Sequence, residues 1–158
     1  MRRTDRLVTD NSKIESFLKE YDIMHVGFYD GHKPYIFPVN FGYEFINEKL
    51  ILYFHGADSG TKAELSKSRP VVAFEMERNN GVAGDGTQGC KYSCFYNSIM
   101  GSGTITVLEN NSDKRHALDI IMKKATGKSG FEYNENVLDK TNVYRISADE
   151  FSAKEKIY

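Results

Sequence analysis

A glycine at 56, a glycine at 60 and a lysine at 62 follow an apolar run, Leu50 to Phe54, that ends at His55. Glycines let a backbone approach a ligand closely, a helix start presents free N–H groups, and a lysine adds a full positive charge. Residues of these types in this order suit an anion, and the stretch reads as a candidate phosphate cradle. Thr61 and Glu64 have the spacing of a capping box, which predicts a helix opening at Thr61. The same residues also fit an ordinary strand–loop–helix turn with a solvated lysine. The stretch by itself leaves both readings open.

Other chemistries find less support. The histidines, His25, His32, His55 and His116, are nowhere at ligand spacing from one another, and Cys90 with Cys94 makes a C-x3-C pair that has no second pair. No metal site is expected, and the thiols read as buried and inert, with a redox pair as the alternative. There is no G-x-S-x-G elbow and no buried pair of carboxylates to expect. Gly84, Gly86 and Gly89 match G-x-G-x-x-G, but the segment after them is strand-like, so the helix that must hold a pyrophosphate is missing and no Rossmann fold is implied. An anion cradle and many aromatics, with no catalytic constellation of the chain's own, fit a protein whose chemistry belongs to a cofactor.

The elements that must position these residues are mostly strands. Residues 12–21 predict an amphipathic helix behind a second capping box, Ser12 and Glu15. Strands are expected at 23–29, 34–45, 50–55, 70–76, 93–108 and 142–151, with Asp30-Gly31 and Asn47-Glu48 as tight turns. Pro34 and Pro38 cannot donate to a ladder, so their strand needs an edge or an open register. Gly101 and Gly103 mark a bend or a close backbone approach. Helices are expected at 61–68, stopped by Pro70, and at 112–125, ended by Gly127. Asn79 to Gly89 reads as a flexible loop. About six strands in antiparallel succession with few helices between them favour a mostly β fold, a β-barrel with peripheral helices.

The totals agree with this picture. A chain of 158 residues with 40% hydrophobic content predicts a single domain, 1–158, with a real core. Lys and Arg (21) nearly balance Asp and Glu (22), so charge gives no argument for nucleic acid or an anionic membrane. No apolar run approaches a membrane span, and the basic Met1 to Arg6 segment lacks the apolar core of a signal peptide, so a cytoplasmic protein is expected.

Several segments, taken together and in order, carry a resemblance: Met1 to Arg6, the Pro34 to Tyr43 run with its Pro-Val-Asn-Phe, Leu52-Tyr-Phe-His-Gly-Ala57 with Gly60-Thr-Lys62, and Tyr96 to Gly103. The chain resembles the 5-nitroimidazole-resistance (Nim) family, among the pyridoxamine 5′-phosphate oxidase-like FMN-binding split barrels. The resemblance runs from Met1 to the strand near residue 150. It implies a six-stranded antiparallel split barrel, a homodimer, and FMN at the dimer interface. It implies that the flavin ring lies against Pro38, Val39, Asn40 and Phe41. The phosphate falls to His55, Gly56, Ala57, Thr61 and Lys62, and Ser98, Ile99 and Met100 close the site.

Two departures from that family pattern stand out. Related oxidases use a basic pair at the positions of Thr61 and Lys62, and only Lys62 is cationic here. Their C-terminal substrate-binding Arg/His pattern has no counterpart in Asp149 to Tyr158, which disfavours pyridoxamine phosphate oxidation. The resemblance then implies an FMN-dependent oxidoreductase, NAD(P)H-driven, that reduces a small acceptor such as a nitroaromatic, with His55 as a candidate proton donor. The alternatives are a flavin- or haem-binding protein for storage or sensing without turnover, and an interaction module whose cofactor site has decayed.

Overall fold

The computed structural model describes residues 3–157, so Met1 and Arg2 of the N-terminal motif lie outside the described residues. Eight strands pair antiparallel: β1 (Leu7–Val8), β2 (Ile23–Tyr29), β3 (Pro34–Asn40), β4 (Gly42–Ile46), β5 (Lys49–Ala57), β6 (Val71–Ala83), β7 (Ser93–Leu108) and β8 (Thr141–Lys156). The sheet order is β3-β2-β6-β7-β8-β5-β4, with β1 added to β8. The helices are α1 (Asn11–Glu20), α2 (Thr61–Ser68), α3 (Asn111–Thr126) and the short α4 (Glu135–Leu138). Among the described residues, no helix is long and apolar enough to cross a membrane.

Two differences take the expected six strands to eight. One is the short β1. The other is the run 34–45, which is two strands lying on opposite edges of the sheet. The break falls at Phe41, which is buried under the Lys124 ammonium, 4.4 Å from its ring centroid. Gly42 lies against α3 so closely that a Cβ there would stand 2.7 Å from the Ile121 nitrogen. The chain turns where the helix crosses it. β3 and β4 are thus the two ends of the sheet and are joined by one residue. The sheet must curl for its ends to share Phe41. Among the described residues no ladder links β3 to β4.

The prolines sit where their missing donors require. Pro34 and Pro38 lie on β3, which pairs only with β2. Asn47 and Glu48 both have positive φ, +50° and +64°, as a two-residue hairpin turn demands. Two caps differ from expectation. Helix α1 is capped by Asp10, whose carboxylate accepts the Ser12 and Lys13 amides at 2.8 and 3.4 Å, so Ser12 is already inside the helix. Helix α3 is capped by Asn110 and ends at Gly127 in the left-handed conformation.

The thiols expected to be buried are both exposed, because Cys90 lies in the turn before β7 and Cys94 on its outlying first residues. The expected loop 79–89 is partly strand. β6 runs to Ala83 and pairs with Ser93 to Tyr96, passing a bulge between Asn79 and Gly81. The Asn79 side chain accepts the Gly81 amide at 2.8 Å, and Gly81 takes φ +105°. That local bond lets the β6–β7 hairpin continue beyond the residues of β6 that pair with β2. Gly101 and Gly103 do mark a close approach: a Cβ at either would stand 2.3 Å from a β8 carbonyl oxygen, that of Glu150 or Ser147. The main core fills the inside of the sheet against α1, around Leu18, Met24, Leu52, Phe74 and Tyr144. A second cluster lies between α3 and the β5–β8 ladder, around Ala117, Ile121 and Val143.

Candidate functional site

The candidate cradle lies at the end of β5. His55, Gly56 and Ala57 pair with Val143, Asn142 and Thr141 of β8. The chain leaves the sheet, and Gly60 opens α2 with φ +91° and ψ 174°, a conformation that only glycine adopts readily. Thr61 therefore sits inside the helix and caps nothing, and no side chain caps α2. The Thr61–Glu64 capping box read from spacing is absent because the left-handed Gly60 moves the helix start one residue earlier. The first intrahelical bond runs from the Glu64 amide to the Gly60 carbonyl at 3.1 Å. The N–H groups of Thr61, Lys62 and Ala63 are the orphan donors of this helix start.

Lys62 folds back over this corner. A Cβ added at Gly56 would stand 2.8 Å from Lys62 Nζ, so the glycine leaves room for the ammonium. Nζ lies 5.5 Å from the Phe54 ring centroid, and Phe54 stacks on Tyr144 at 4.7 Å. Among the described residues, no carboxylate is ion-paired with Lys62. Burial lowers the pKa of Lys62. Burial, and then the charge of Lys62, lowers that of His55, so at neutral pH its imidazole is uncharged. Orphan amides and an unpaired ammonium around a glycine make this corner complementary to a phosphate-like anion.

The other expected site residues divide by strand alternation. Pro38 and Asn40 face outward from β3, and Ser98 and Met100 face outward from β7. Val39, Phe41 and Ile99 point into the core, so only their backbone can meet a ligand. Chain continuity brings Asn40 and Phe41 toward the cradle, because the next residue, Gly42, pairs with Tyr53, two residues before His55. Ser98 to Met100 are not brought there. Met100 is opposite Ser152 of β8, whereas His55 pairs with Val143, itself opposite Leu108. From Met100 to Leu108 is eight residues of strand, up to about 26 Å.

Met100 instead faces a cavity of 710 Å³ on the outer face of the sheet, which His25, Glu75, Glu150, Phe151 and Lys154 also line. The register places Pro38, His25, Glu75, Met100 and Ser152 in one row across five strands. Burial and the neighbouring Glu77 push the Glu75 carboxyl up to about 8. These titratable residues have no role in the sequence expectation. Their one sequence signal is Glu75-x-Glu77 following the apolar run Val71 to Phe74, which puts two carboxylates on one face of β6.

A family model for pyridoxamine 5′-phosphate oxidase matches residues 10–155. No curated protein matches the chain. Among solved structures, a candidate 5-nitroimidazole antibiotic resistance protein from Bacteroides thetaiotaomicron is 32% identical, with TM-score 0.80, over 94% of this chain and 86% of that one. The flavocytochrome Anf3 from Azotobacter vinelandii is 16% identical, with TM-score 0.80, over 100% of this chain and 72% of that one. An FAD- and haem-binding protein from Mycobacterium smegmatis is 19% identical, with TM-score 0.78, over 97% and 74%. The last two bear on the fold alone.

Proposed function

This chain belongs to the pyridoxamine 5′-phosphate oxidase family, on the side of its nitroimidazole-resistance proteins, and from that premise we propose that it is an FMN-dependent oxidoreductase. The observation that carries the reading is the corner at Gly56, where the Lys62 ammonium, with no carboxylate ion-paired to it among the described residues, reaches over the glycine from a helix start that no side chain caps. Bound there, the flavin would supply two-electron chemistry, taking electrons from NADH or NADPH and passing them to a small acceptor such as a nitroaromatic.

The chain's own part is to hold and orient. Lys62 and the amides of Thr61 and Ala63 hold the phosphate, with His55, Gly56 and Ala57 forming the floor. One lysine in place of two cations makes the helix N-terminus carry more of the anion's charge. Pro38, Asn40 and the backbone of Val39 and Phe41 support the ring. Ser98, Ile99 and Met100 close the site from a second copy, because within one chain they lie far along β7 from the cradle. The reading takes the protein to act as a cytoplasmic homodimer of split barrels. His55, neutral and beside Lys62, is placed to give or take a proton at the edge of the site.

Steady consumption of NADH or NADPH by the purified protein with a nitroimidazole tests the enzyme reading. Turnover that depends on added FMN and on the acceptor supports it. Bound flavin that neither nicotinamide reduces contradicts turnover and selects the storage or sensing alternative, which shares the same cradle.

A further inference from the structure

We propose that His25, Glu75 and Glu77 form a site for a first-row divalent metal ion on the outer face of the sheet, with Zn²⁺ as its favoured occupant. His25 lies on β2 and is the register partner of Glu75 on β6. Strand alternation sends Glu77 to the same face as Glu75. One ligand atom from each of the three residues lies within 4.8 Å of the other two. His25 Nδ1 stands 3.5 Å from Glu75 Oε2. A metal held at about 2.0–2.2 Å by nitrogen and oxygen donors sets neighbouring donors roughly 3.0–3.5 Å apart. The imidazole and the first carboxylate are already at that separation. Glu77 is exposed, so its carboxylate can turn the remaining distance without moving the backbone.

The charge around the three donors favours a cation. Arg78, the next residue after Glu77, is turned to Glu20 at 2.8 Å. Among the described residues, His25 is the base ion-paired with Glu75, and no lysine or arginine is. Without an ion, Glu75 and Glu77 meet through a side-chain hydrogen bond and so share a proton. A divalent ion would take the place of that proton and hold both carboxylates. One imidazole with two carboxylates is a borderline-hard set that suits Zn²⁺, Co²⁺, Fe²⁺ or Mn²⁺, whereas Ca²⁺ and Mg²⁺ favour shells of oxygen alone. His25 and Glu75 also line the 710 Å³ cavity, so the ion's free positions open to water or a small ligand there. None of the three ligands is among the residues proposed to hold the flavin, although Met100 lines the same cavity.

Calorimetric titration of Zn²⁺ into chelator-stripped full-length protein near neutral pH tests this. The expected result is saturable binding of one ion per chain, weakened by at least about tenfold in each of His25→Ala, Glu75→Gln and Glu77→Gln. His116→Ala removes the separate His116–Glu44 pair, 3.4 Å apart, and should leave binding unchanged. Circular dichroism checks that each variant is folded, and the exposed Glu77→Gln keeps the test open should either of the others fail to fold. Absence of saturable binding in the wild type overturns the proposal. So does undiminished affinity in any folded ligand variant, or loss of binding in His116→Ala. Lys62→Ala, expected to lose FMN and keep Zn²⁺, lets this site and the flavin reading fail separately.

Discussion

The corner at Gly56 and the outer face at Glu75 are built on one sheet and carry opposite charge. At the corner, a lysine and a helix start converge with no carboxylate to answer them. On the face, two carboxylates and a histidine converge, and among the described residues no lysine or arginine is ion-paired with them, although Lys154 lines the same cavity. Strand register fixes the Cα positions on the face, and strand register together with α2 fixes them at the corner, so little ordering is needed when a ligand arrives. The difference lies in what brings the groups together. The corner is local, assembled within eight residues of sequence from His55 to Lys62. The face is long-range, made by β2–β6 pairing across fifty residues, from His25 to Glu75.

The most severe way to break the comparison is to break the shared sheet. In Gly101→Val the new Cβ would stand 2.3 Å from the Glu150 carbonyl oxygen and 2.6 Å from Phe74 Cζ. Overpacking against backbone of this kind costs about 3 kcal/mol, or roughly 6–12 °C in Tm for a chain of this size. Differential scanning calorimetry reads the shift, and both FMN and Zn²⁺ binding should weaken together. An unchanged Tm would show that the two strands approach less closely than described.

Lys62→Ala acts on the corner alone. Losing a charge-assisted contact should weaken FMN by about 1.5–3 kcal/mol, roughly ten- to 150-fold, in a fluorescence titration. Full affinity in the variant would remove Lys62 from the phosphate site.

Acid and base should separate the two regions in opposite directions. Glu75, raised from 4.5 to about 8, holds a proton when folded that the unfolded chain has released. Its contribution to stability is full below pH 4.5 and is lost as pH rises through about 8. His55, lowered from 6.5, contributes above that value and loses its contribution as pH falls below it. Urea unfolding across pH in the presence of a chelator should show both limbs, with Glu75→Gln flattening the alkaline one and His55→Ala the acid one. A Glu75→Gln profile that overlays the wild type contradicts the assignment.

Gly56→Ala is milder. Its Cβ crowds the flexible end of Lys62, 2.8 Å from Nζ, and makes an ordinary contact with Tyr144 at 3.8 Å, so the ammonium is pushed aside with its charge retained. FMN affinity should fall several-fold, by about 1 kcal/mol, with stability nearly unchanged. Smallest of all is Thr61→Ala. A true N-cap would lose about 1 kcal/mol, but Thr61 is inside the helix, so chemical denaturation should show a change within about 0.5 kcal/mol.

What the sequence made legible follows the same local and long-range division. The strand ending at His55, the helix 61–68, the Asn47-Glu48 hairpin and the close approach at Gly101 and Gly103 are all written in neighbouring residues, and each is present. The helix caps were missed by a residue or two, because Asp10 and Gly60 cap from just outside the motif that spacing suggested. The division of 34–45 at Phe41 was not legible, since its cause, the α3 backbone against Gly42, is some eighty residues away. The same reason hid the convergence of His25 with Glu75 and Glu77. The spacing of the histidines among themselves carries no trace of a partner on another strand.

The central claim is that the corner at Gly56 holds FMN, and the most direct measurement is to denature the purified protein and identify and count what it releases. The account predicts a yellow protein that releases one FMN per chain, or a colourless one that takes up one FMN per chain when it is supplied. A colourless protein that fails to bind added FMN would contradict it.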